Sequence, residues 1–396
     1  MKILIVINNL LCGGAQKSLI SLLDRWEQDE GVSIDLLVLN QDDIFFDNVP
    51  SWITVLPQIS EVHAMHLPFQ RAMKKKMKAR LKVALIISKL RMKVEKHREY
   101  SEVQKIWKAW KHNIPTLSKS YDLAVSYVDG FSNYYVIDKV KAKRKILWVH
   151  NEYDKLPYAV EYDVSYFAKA DWIVTISDVC GESLKRNFPG LQEKILVIPN
   201  LSSRRMIEHL AGEICPKEYD GKENILISIG RLDEQKGFDF AIEAARLMKQ
   251  KGGRFSWFIM GEGELEEELL SQIEANVVEE QVYLLGTKKN PYPYIKFADI
   301  FVQPSRYEGK SIVLDEAKIL AKPVVITNYP SAKDSIVDGY TGMIAEMNAD
   351  AIAETVLKLI NNKPMQERFT KELDADRRNE DIEFSYYRNL FLENHR

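Results

Sequence analysis

Short apolar runs alternate with helical stretches along nearly the whole chain, and this alternation restricts the fold more than any other feature. Lys2–Ile7 is an unbroken aliphatic run, which is typical of a parallel strand buried on both faces. A helix from Gly13 to Trp26 and a second strand at Ile34–Leu39 follow it, and a second series of the same kind begins at Asn224. We therefore predict an α/β protein with two doubly wound parallel sheets.

The length of the chain, 396 residues, is enough for two or three domains with separate cores. Between Ser202 and Lys222 the apolar pattern weakens, so we place the domain boundary in this region. The predicted domains are an amino-terminal one at 1–203, with a basic helical insertion at about 62–115, and a carboxyl-terminal one at 204–378. Residues 379–396 are predicted to form a helix that packs back on the amino-terminal domain.

Bulk composition excludes several classes of protein. Only three cysteines are present and no two form a CxxC pair, so neither a disulfide framework nor a zinc site is expected. The net charge of −2 implies no general attraction to nucleic acid. The apolar start of the chain resembles a signal peptide, but Asn8 and Asn9 interrupt it, and we interpret it as a buried strand. No apolar run approaches the roughly 18 residues of a transmembrane helix.

The segment from Phe69 to Lys111 differs from the rest of the chain in charge. It holds 15 Lys plus Arg and 3 Glu, a local net charge of +12 in a chain whose net charge is −2. Apolar residues recur every four positions from Phe69 to Leu85, which predicts one or two amphipathic helices, and Trp107 and Trp110 lie near the end of the segment. Such a helix can lie on an anionic membrane; the alternative is a solvated face packed on the first domain.

Polar residues follow several predicted strands of the first half. His150 comes directly after the strand Lys145–Val149, and ligands of open α/β sheets bind beyond the carboxyl ends of the strands. We therefore expect His150 to line a site. Gly13 and Gly14 start the first helix without side chains that would keep a ligand from the backbone, although a plain helix-start turn explains them equally well. The GxGxxG spacing of a dinucleotide site is absent.

The stretch from Arg306 to Thr327 carries two glutamates within a predicted loop, helix and strand. Glu308 and Glu316 are eight residues apart, which is roughly 12 Å along a helix. The carboxylate pairs of sugar hydrolases lie about 5 to 9.5 Å apart, so these two are expected to hold separate parts of one long ligand. The backbone N–H groups from Ser311 onward would form an anion site at the start of the helix.

Arg231 and Lys236 follow the predicted strand Ile225–Ile229 in a loop bounded by glycines. They are candidates to clamp a diphosphate, since arginine offers a bidentate fork and lysine a mobile charge. Taken alone, the loop is better explained by ordinary surface charge. Together with Glu308 and Glu316 it predicts a nucleotide-sugar site in a cleft between two α/β domains, where cations meet the phosphates and carboxylates meet sugar hydroxyls.

Residues 225–345 resemble the retaining glycosyltransferases of the GT-B fold, family 4, also called group 1. The matching pieces follow one another in order: Gly230-Arg231, Lys236-Gly237, Gly261-Glu262-Gly263, Gly286, Asp299, Pro304-Ser305, Glu308 with Glu316, and Pro323-Val324-Val325. The first half matches more loosely, through Gly13-Gly14-Ala15 and Trp148-Val149-His150. The resemblance implies two Rossmann-like domains that face a central cleft.

The resemblance also implies a role for each matching residue. Glu316 is expected to bind the ribose hydroxyls of the nucleotide, and Glu308 to contact the transferred sugar. Arg231 and Lys236 are expected to stabilise the departing diphosphate, and His150 to line the reacting centre. The implied catalytic residues are Glu308, His150, Arg231 and Lys236. The implied donor-binding residues are Gly13, Gly14, Arg231, Lys236, Glu308, Gly309, Lys310, Ser311, Ile312 and Glu316.

From this resemblance we expect a retaining transferase that moves a hexose or N-acetylhexosamine from a nucleotide-diphosphate sugar, by preference a UDP-sugar, to a saccharide acceptor. The basic segment favours a lipid-linked acceptor, cell-surface polysaccharide assembly and a cytoplasmic protein at the inner face of the membrane. No metal, other cofactor or nucleic acid is expected. Two alternatives stay open: a catalytically silent partner subunit, and a nucleotide-sugar epimerase of the same fold.

Overall fold

The computed structural model describes residues 1–11, 13–26, 31–40, 48–66, 82–83, 86, 100–308, 311–375 and 380–392. The chain divides into two compact units, one formed by residues 1–201 with 381–396 and the other by residues 202–380. Each unit is built on its own parallel sheet. The prediction of two doubly wound α/β domains is therefore confirmed.

The first unit is built on a seven-stranded sheet in the order β3-β2-β1-β4-β5-β6-β7. Strand β1 lies inside this sheet, where Ile3 to Ile7 are fully buried. Its unbroken aliphatic run follows from that position, because both of its faces are covered. The strands are β1 (Lys2–Ile7), β2 (Ser33–Val38), β3 (Thr54–Val55), β4 (Ser120–Ser126), β5 (Lys141–Val149), β6 (Trp172–Thr175) and β7 (Ile195–Val197).

Helices alternate with these strands. Helix α6 begins at Asp178, where the Ser177 side chain accepts a hydrogen bond from the Cys180 amide at 3.3 Å. The described helices before residue 202 are α1 (Gly14–Arg25), α2 (Ser60–His66), α3 (Glu102–Trp110), α4 (Phe131–Lys139), α5 (Val160–Phe167) and α6 (Asp178–Asn187).

Helix α3, at the end of the basic segment, is fixed on the first unit. Ser101 and Gln104 form a capping box at its start, and the Gln104 amide donates to the buried Asp163 carboxylate at 2.9 Å. Trp107 and Trp110 are 0% and 1% exposed and belong to the core of this unit. These two tryptophans are therefore not available to a membrane surface, because their apolar surface is already buried within the protein.

The amphipathic stripe predicted from Phe69 to Leu85 lies almost entirely outside the described residues, and that part of the membrane hypothesis stays a prediction. Within the ranges that the structure describes, no helix combines the length and the hydrophobicity needed to cross a membrane.

The second unit is built on a six-stranded parallel sheet in the order β10-β9-β8-β11-β12-β13. Strands β8 and β11 are neighbours, so the loops that follow them emerge side by side at the carboxyl edge. The strands are β8 (Ile225–Ile229), β9 (Ser256–Met260), β10 (Val282–Leu284), β11 (Ile300–Gln303), β12 (Val324–Thr327) and β13 (Gly342–Ala345).

Helix α7 was not predicted, because the apolar pattern weakens between Ser202 and Lys222. The Ser203 side chain caps it by accepting from the Met206 amide at 3.2 Å, and Ile207 and Ala211 are buried. The described helices of this unit are α7 (Arg204–Ala211), α8 (Phe238–Gln250), α9 (Glu266–Ala275), α10 (Tyr292–Phe297), α11 (Ile312–Ile319), α12 (Ala332–Ser335), α13 (Ala349–Ile360) and α14 (Lys363–Ala375).

The last helix, α15 (Glu380–Leu392), lies against the first unit. Its Tyr387 and Phe391 are fully buried, and the Phe391 ring lies 5.3 Å from the ring of Trp26, the residue that follows helix α1. The Arg144 guanidinium donates to the carbonyls of Leu390 and Phe391 near the end of the helix. These contacts complement the exposed carbonyls and negative dipole of a helix end.

Candidate active site

Glu308 lies at the centre of a hydrogen-bond network just beyond the carboxyl end of β11. Its Oε1 accepts from Lys236 Nζ at 2.8 Å and from Ser305 Oγ at 2.6 Å, and Gln303 Nε2 also donates to it. The Glu308 side chain is only 6% exposed. A carboxylate buried to this extent is stable as a charge only when it is paired and hydrogen-bonded, and the network supplies both.

Gln303 connects Glu308 to the start of helix α11. Its Oε1 accepts a hydrogen bond from Ser311 Oγ at 3.0 Å, while its Nε2 contacts both Glu308 and Ser305 Oγ, the latter at 3.3 Å. Sequence reasoning did not select Gln303. The sequence signal for Gln303 was an amide side chain at the end of an otherwise apolar strand. Such a side chain is buried, and its polar atoms therefore require hydrogen-bond partners.

The loop after β8 positions Lys236. Asp233 accepts a hydrogen bond from the Lys236 amide at 3.3 Å and starts a short 3-10 turn, after which Gly237 adopts a left-handed conformation with φ of 64°. A Cβ atom at Gly237 would lie 2.1 Å from the carbonyl oxygen of Pro304. The glycine therefore allows the loop after β8 to approach the loop after β11, which brings Lys236 to Glu308.

Arg231 is placed differently from Lys236. Its side chain is 77% exposed, and its Nε lies 3.4 Å from the Asp233 carboxylate. No hydrogen bond or ion pair joins it to Glu308 among the described residues. Of the two cations predicted to hold a diphosphate, Lys236 is built into the Glu308 network and Arg231 projects from the loop.

Arg306 clamps the Glu308 loop onto the unit, a role that the sequence did not reveal. Its guanidinium makes a bidentate pair with Asp239, at 2.8 and 2.7 Å, and donates to the Glu234 carbonyl at 2.9 Å. It also lies 4.2 Å from the centre of the Phe240 ring. The Asp239 carboxylate raises the pKa of Arg306 further above its usual range. The planar guanidinium is suited to this combination of fork and stack.

Glu316 lies on α11 and is 1% exposed. Its Oε1 accepts a hydrogen bond from the Tyr292 hydroxyl at 3.1 Å. Ile312 opens the same helix, and the Ser311 side chain bonds to Gln303 instead of capping it. Gly309 and Lys310 lie outside the described residues.

His150 lies at the end of β5, in the first unit. Its Nε2 lies 2.8 Å from the carbonyl oxygen of Tyr127, so Nε2 is the nitrogen that carries the proton. Burial lowers the pKa of His150 to about 4, against the opposing effects of Asp129 and of this hydrogen bond. The ring is therefore neutral at pH 7, with Nδ1 deprotonated.

Gly13 and Gly14 start helix α1, also in the first unit. Gly13 has extended backbone and no side-chain cap. A Cβ there would lie 2.4 Å from Oε1 of Gln16, whose Nε2 donates to the Asn9 side chain at 3.0 Å. The predicted site residues thus divide between the units: Gly13, Gly14 and His150 in the first, Arg231, Lys236, Glu308, Ser311, Ile312 and Glu316 in the second.

Residues 215–374 match the family model "Glycosyl transferases group 1". A curated relative, an uncharacterized glycosyltransferase of Methanocaldococcus jannaschii, is 29% identical over 246 residues, 56% of this chain and 60% of the relative. Another, the N-acetylgalactosamine-N,N'-diacetylbacillosaminyl-diphospho-undecaprenol 4-alpha-N-acetylgalactosaminyltransferase of Campylobacter jejuni, is 30% identical over 204 residues, 51% of this chain and 54% of the relative. The chain thus spans less than two thirds of the length of these relatives.

The crystal structure of a TarM variant from S. aureus, in complex with Fondaparinux, alpha-GlcNAc-glycerol and UDP, resembles the chain over almost its full length. The match covers 99% of this chain and 100% of that one, with a TM-score of 0.66 and 16% sequence identity. At this identity the likeness concerns the fold alone, and it confirms the GT-B prediction. Residues 215–374 therefore belong to the group 1 glycosyltransferases, in a chain that has the GT-B fold.

Proposed function

We propose that this protein is a retaining glycosyltransferase that transfers a hexose or N-acetylhexosamine from a UDP-sugar to a saccharide acceptor, without a metal ion or other cofactor. The observation that carries the proposal is the Glu308 network. The buried carboxylate of Glu308, the ammonium of Lys236 and the start of helix α11 at Ser311 lie together at the carboxyl edge of one sheet. This combination matches a ligand that joins hydroxyl groups to phosphates.

Two further features support a nucleotide sugar as the ligand. The Glu316 carboxylate accepts a hydrogen bond from the Tyr292 hydroxyl, and a carboxylate oxygen is an acceptor suited to hydroxyl groups such as those of a ribose. The exposed Arg231 can reach a diphosphate that Lys236 also approaches. UDP is favoured because the TarM structure contains UDP and a GlcNAc compound.

The proposed reaction breaks the bond between the sugar and the diphosphate and forms a bond between the sugar and an acceptor hydroxyl. Lys236, Arg231 and the N–H groups at the start of α11 stabilise the charge that develops on the leaving diphosphate. The acceptor attacks from the leaving-group face, so the anomeric configuration is retained. The acceptor proton passes to an oxygen of the departing phosphate, which balances the step. From the family resemblance we also propose a role in this step for His150, whose neutral ring adds no charge.

The proposed acceptor is a lipid-linked saccharide in cell-surface polysaccharide assembly. The net charge of +12 between Phe69 and Lys111 supports peripheral contact with an anionic membrane. The Campylobacter jejuni relative, whose name includes a diphospho-undecaprenol, supports the lipid link. Charge reversal of the lysines and arginines in residues 74–82 is expected to abolish binding to anionic liposomes, while liposomes of neutral lipid serve as the control. Unchanged binding of the variant would contradict membrane contact.

The experiment that tests the donor is binding of a panel of sugar nucleotides to the purified full chain, with Glu316→Ala beside it. One UDP-sugar is expected to bind and to be weakened by the variant, since the ribose would lose its carboxylate partner. NMR analysis of the anomeric proton of the product then tests retention. Preference for another nucleotide would correct the donor and leave the reaction class in place.

The two alternatives predict different outcomes of the same panel. An epimerase would convert the bound UDP-sugar into its epimer with no acceptor present, which chromatography of the nucleotide sugars would detect. A silent partner subunit would bind no sugar nucleotide, and Glu308→Ala would then change no measured property apart from stability. Transfer to an acceptor by the wild type and its loss in Glu308→Ala contradicts both.

A further inference from the structure

A stack of buried aromatic rings joins helix α15 to His150. Tyr387 of α15 stacks on Trp148 with ring centroids 5.9 Å apart and planes 10° apart. Trp148 stacks in turn with Tyr127, at 5.2 Å and 20°. The Tyr127 ring lies 5.6 Å from the His150 ring, and the Tyr127 carbonyl accepts the hydrogen bond from His150 Nε2. The two tyrosines and Trp148 are 0% exposed.

The same stack holds residues 199–201, where the chain leaves the first unit. The Tyr387 hydroxyl donates to the Pro199 carbonyl at 2.9 Å. Ser18 Oγ accepts a hydrogen bond from the Leu201 amide at 3.0 Å and lies 3.0 Å from the Tyr127 hydroxyl. The first unit ends at residue 201 and resumes at residue 381. The segment in which the chain leaves the first unit is therefore bonded to this stack, and the chain resumes that unit in the helix that carries Tyr387.

We propose that Tyr387 is a positioning residue for His150. Its ring, through Trp148 and Tyr127, holds the imidazole in one orientation, and its hydroxyl ties that orientation to residues 199–201. The inference rests on the proposed function, in which His150 lines the reacting centre. Its physical basis is close packing: a buried ring that loses a stacked neighbour tilts into the space left behind, and the rings beyond it follow.

A purely structural role for Tyr387 predicts something different. Loss of its ring would then lower stability and leave the surroundings of His150 unchanged. The neighbouring Tyr386 provides the matched control, because it lies on the same helix and is 51% exposed. Tyr386→Leu removes a ring of the same size from the same helix without touching the stack.

The first experiment compares the full chain with Tyr387→Leu and Tyr386→Leu, using the 1H–13C NMR signals of the His150 ring. His150→Asn identifies those signals among the seven histidines. Tyr387→Leu is expected to shift them and Tyr386→Leu to leave them in place. In the presence of saturating UDP-sugar and acceptor, Tyr387→Leu is expected to lower turnover by about 10- to 100-fold, with little change in the KM for the donor.

A second variant separates the ring from the hydroxyl. Tyr387→Phe keeps the stack and loses the bond to Pro199, so it is expected to keep the wild-type His150 signals and to speed the amide exchange of Leu201. If Tyr387→Leu does not fold, Trp148→Phe tests the same stack with a smaller ring. Its expected result is also a shift of the His150 signals.

Wild-type His150 signals in a folded Tyr387→Leu protein would overturn the proposal, whatever its activity. Failure of the proposed function is distinguishable, because the NMR measurement requires no sugar transfer. If the proposed function fails, the wild-type protein transfers no sugar, while the His150 signals of the Tyr387→Leu variant still differ from those of the wild type. In that case the stack would position His150 as proposed, and only the reaction assigned to His150 would be lost.

Discussion

The ammonium of Lys236 lies 2.8 Å from Oε1 of Glu308, although the two residues are 72 positions apart in the sequence. Their side chains are 15% and 6% exposed. Removal of one partner from a buried pair leaves the other with its desolvation cost and without its compensation. Glu308, proposed to hold the sugar, and Lys236, proposed to hold the phosphate, therefore depend on each other energetically.

Glu308→Gln is expected to lower turnover by about 100-fold or more, because the amide replaces the charge that faces Lys236 and the sugar. The measurement is steady-state transfer with saturating donor. Glu367→Gln, an exposed glutamate on helix α14, is the matched control and is expected to have wild-type activity. In a double-mutant cycle with Lys236→Met, the two losses are expected to be strongly non-additive. Additive losses of turnover in the double variant would contradict the energetic coupling of Glu308 and Lys236.

Arg306→Lys is expected to weaken binding of the donor by about tenfold, because lysine cannot reproduce both the bidentate pair with Asp239 and the stack on Phe240. The loop that carries Glu308 would then lose its clamp. Calorimetric titration with the UDP-sugar measures the effect. Arg254→Lys, at an exposed position of the same unit, is the control. Wild-type affinity in Arg306→Lys would show that the other contacts of the loop are sufficient.

Gly237→Ala and Gly252→Ala form a matched pair that separates backbone strain from close approach. Both glycines have positive φ, 64° and 76°, and each substitution is expected to cost about 1 to 2 kcal/mol of unfolding free energy for that reason. Only Gly237 has a neighbour in the way, the Pro304 carbonyl at 2.1 Å from the added Cβ. Denaturant unfolding is therefore expected to show a clearly larger loss for Gly237→Ala, accompanied by loss of donor binding. Equal losses would contradict the close approach.

The half-buried His150 is expected to make folding sensitive to mild acid. Its pKa is about 4 in the folded protein, below the ordinary 6.5, so the unfolded chain takes up a proton first as the pH falls. Stability is therefore lost between about pH 6.5 and pH 4, by about 2 kcal/mol at pH 5 relative to pH 7. Unfolding measured at both values tests this, with His150→Asn expected to reduce the loss. An equal loss in the variant would place its origin at other groups.

Strands β1 and β8 were predictable from the sequence with the bounds that the structure has. Each is a short, strongly apolar run, so local patterning decides it. Helix α10 was missed because Tyr292–Phe297 mixes a proline with aromatic residues and is only six residues long. Its identity depends on the contacts of its buried Tyr292 and Ile295 with the rest of the unit.

The sequence by itself determined the two-sheet architecture, the family resemblance of the second half, and Lys236, Glu308 and Glu316 as candidates. Local patterns and motif order carry that information. Only the tertiary structure decided that Gln303 and Ser305 hold Glu308 and that Arg306 clamps the Glu308 loop through Asp239. It also decided that Tyr387 stacks on Trp148. Asp239 and Tyr387 come from parts of the chain that are distant from the residues they contact, while Gln303 and Ser305 lie within five residues of Glu308 in an ordinary local sequence. Their roles follow from burial, which requires a partner for every polar group.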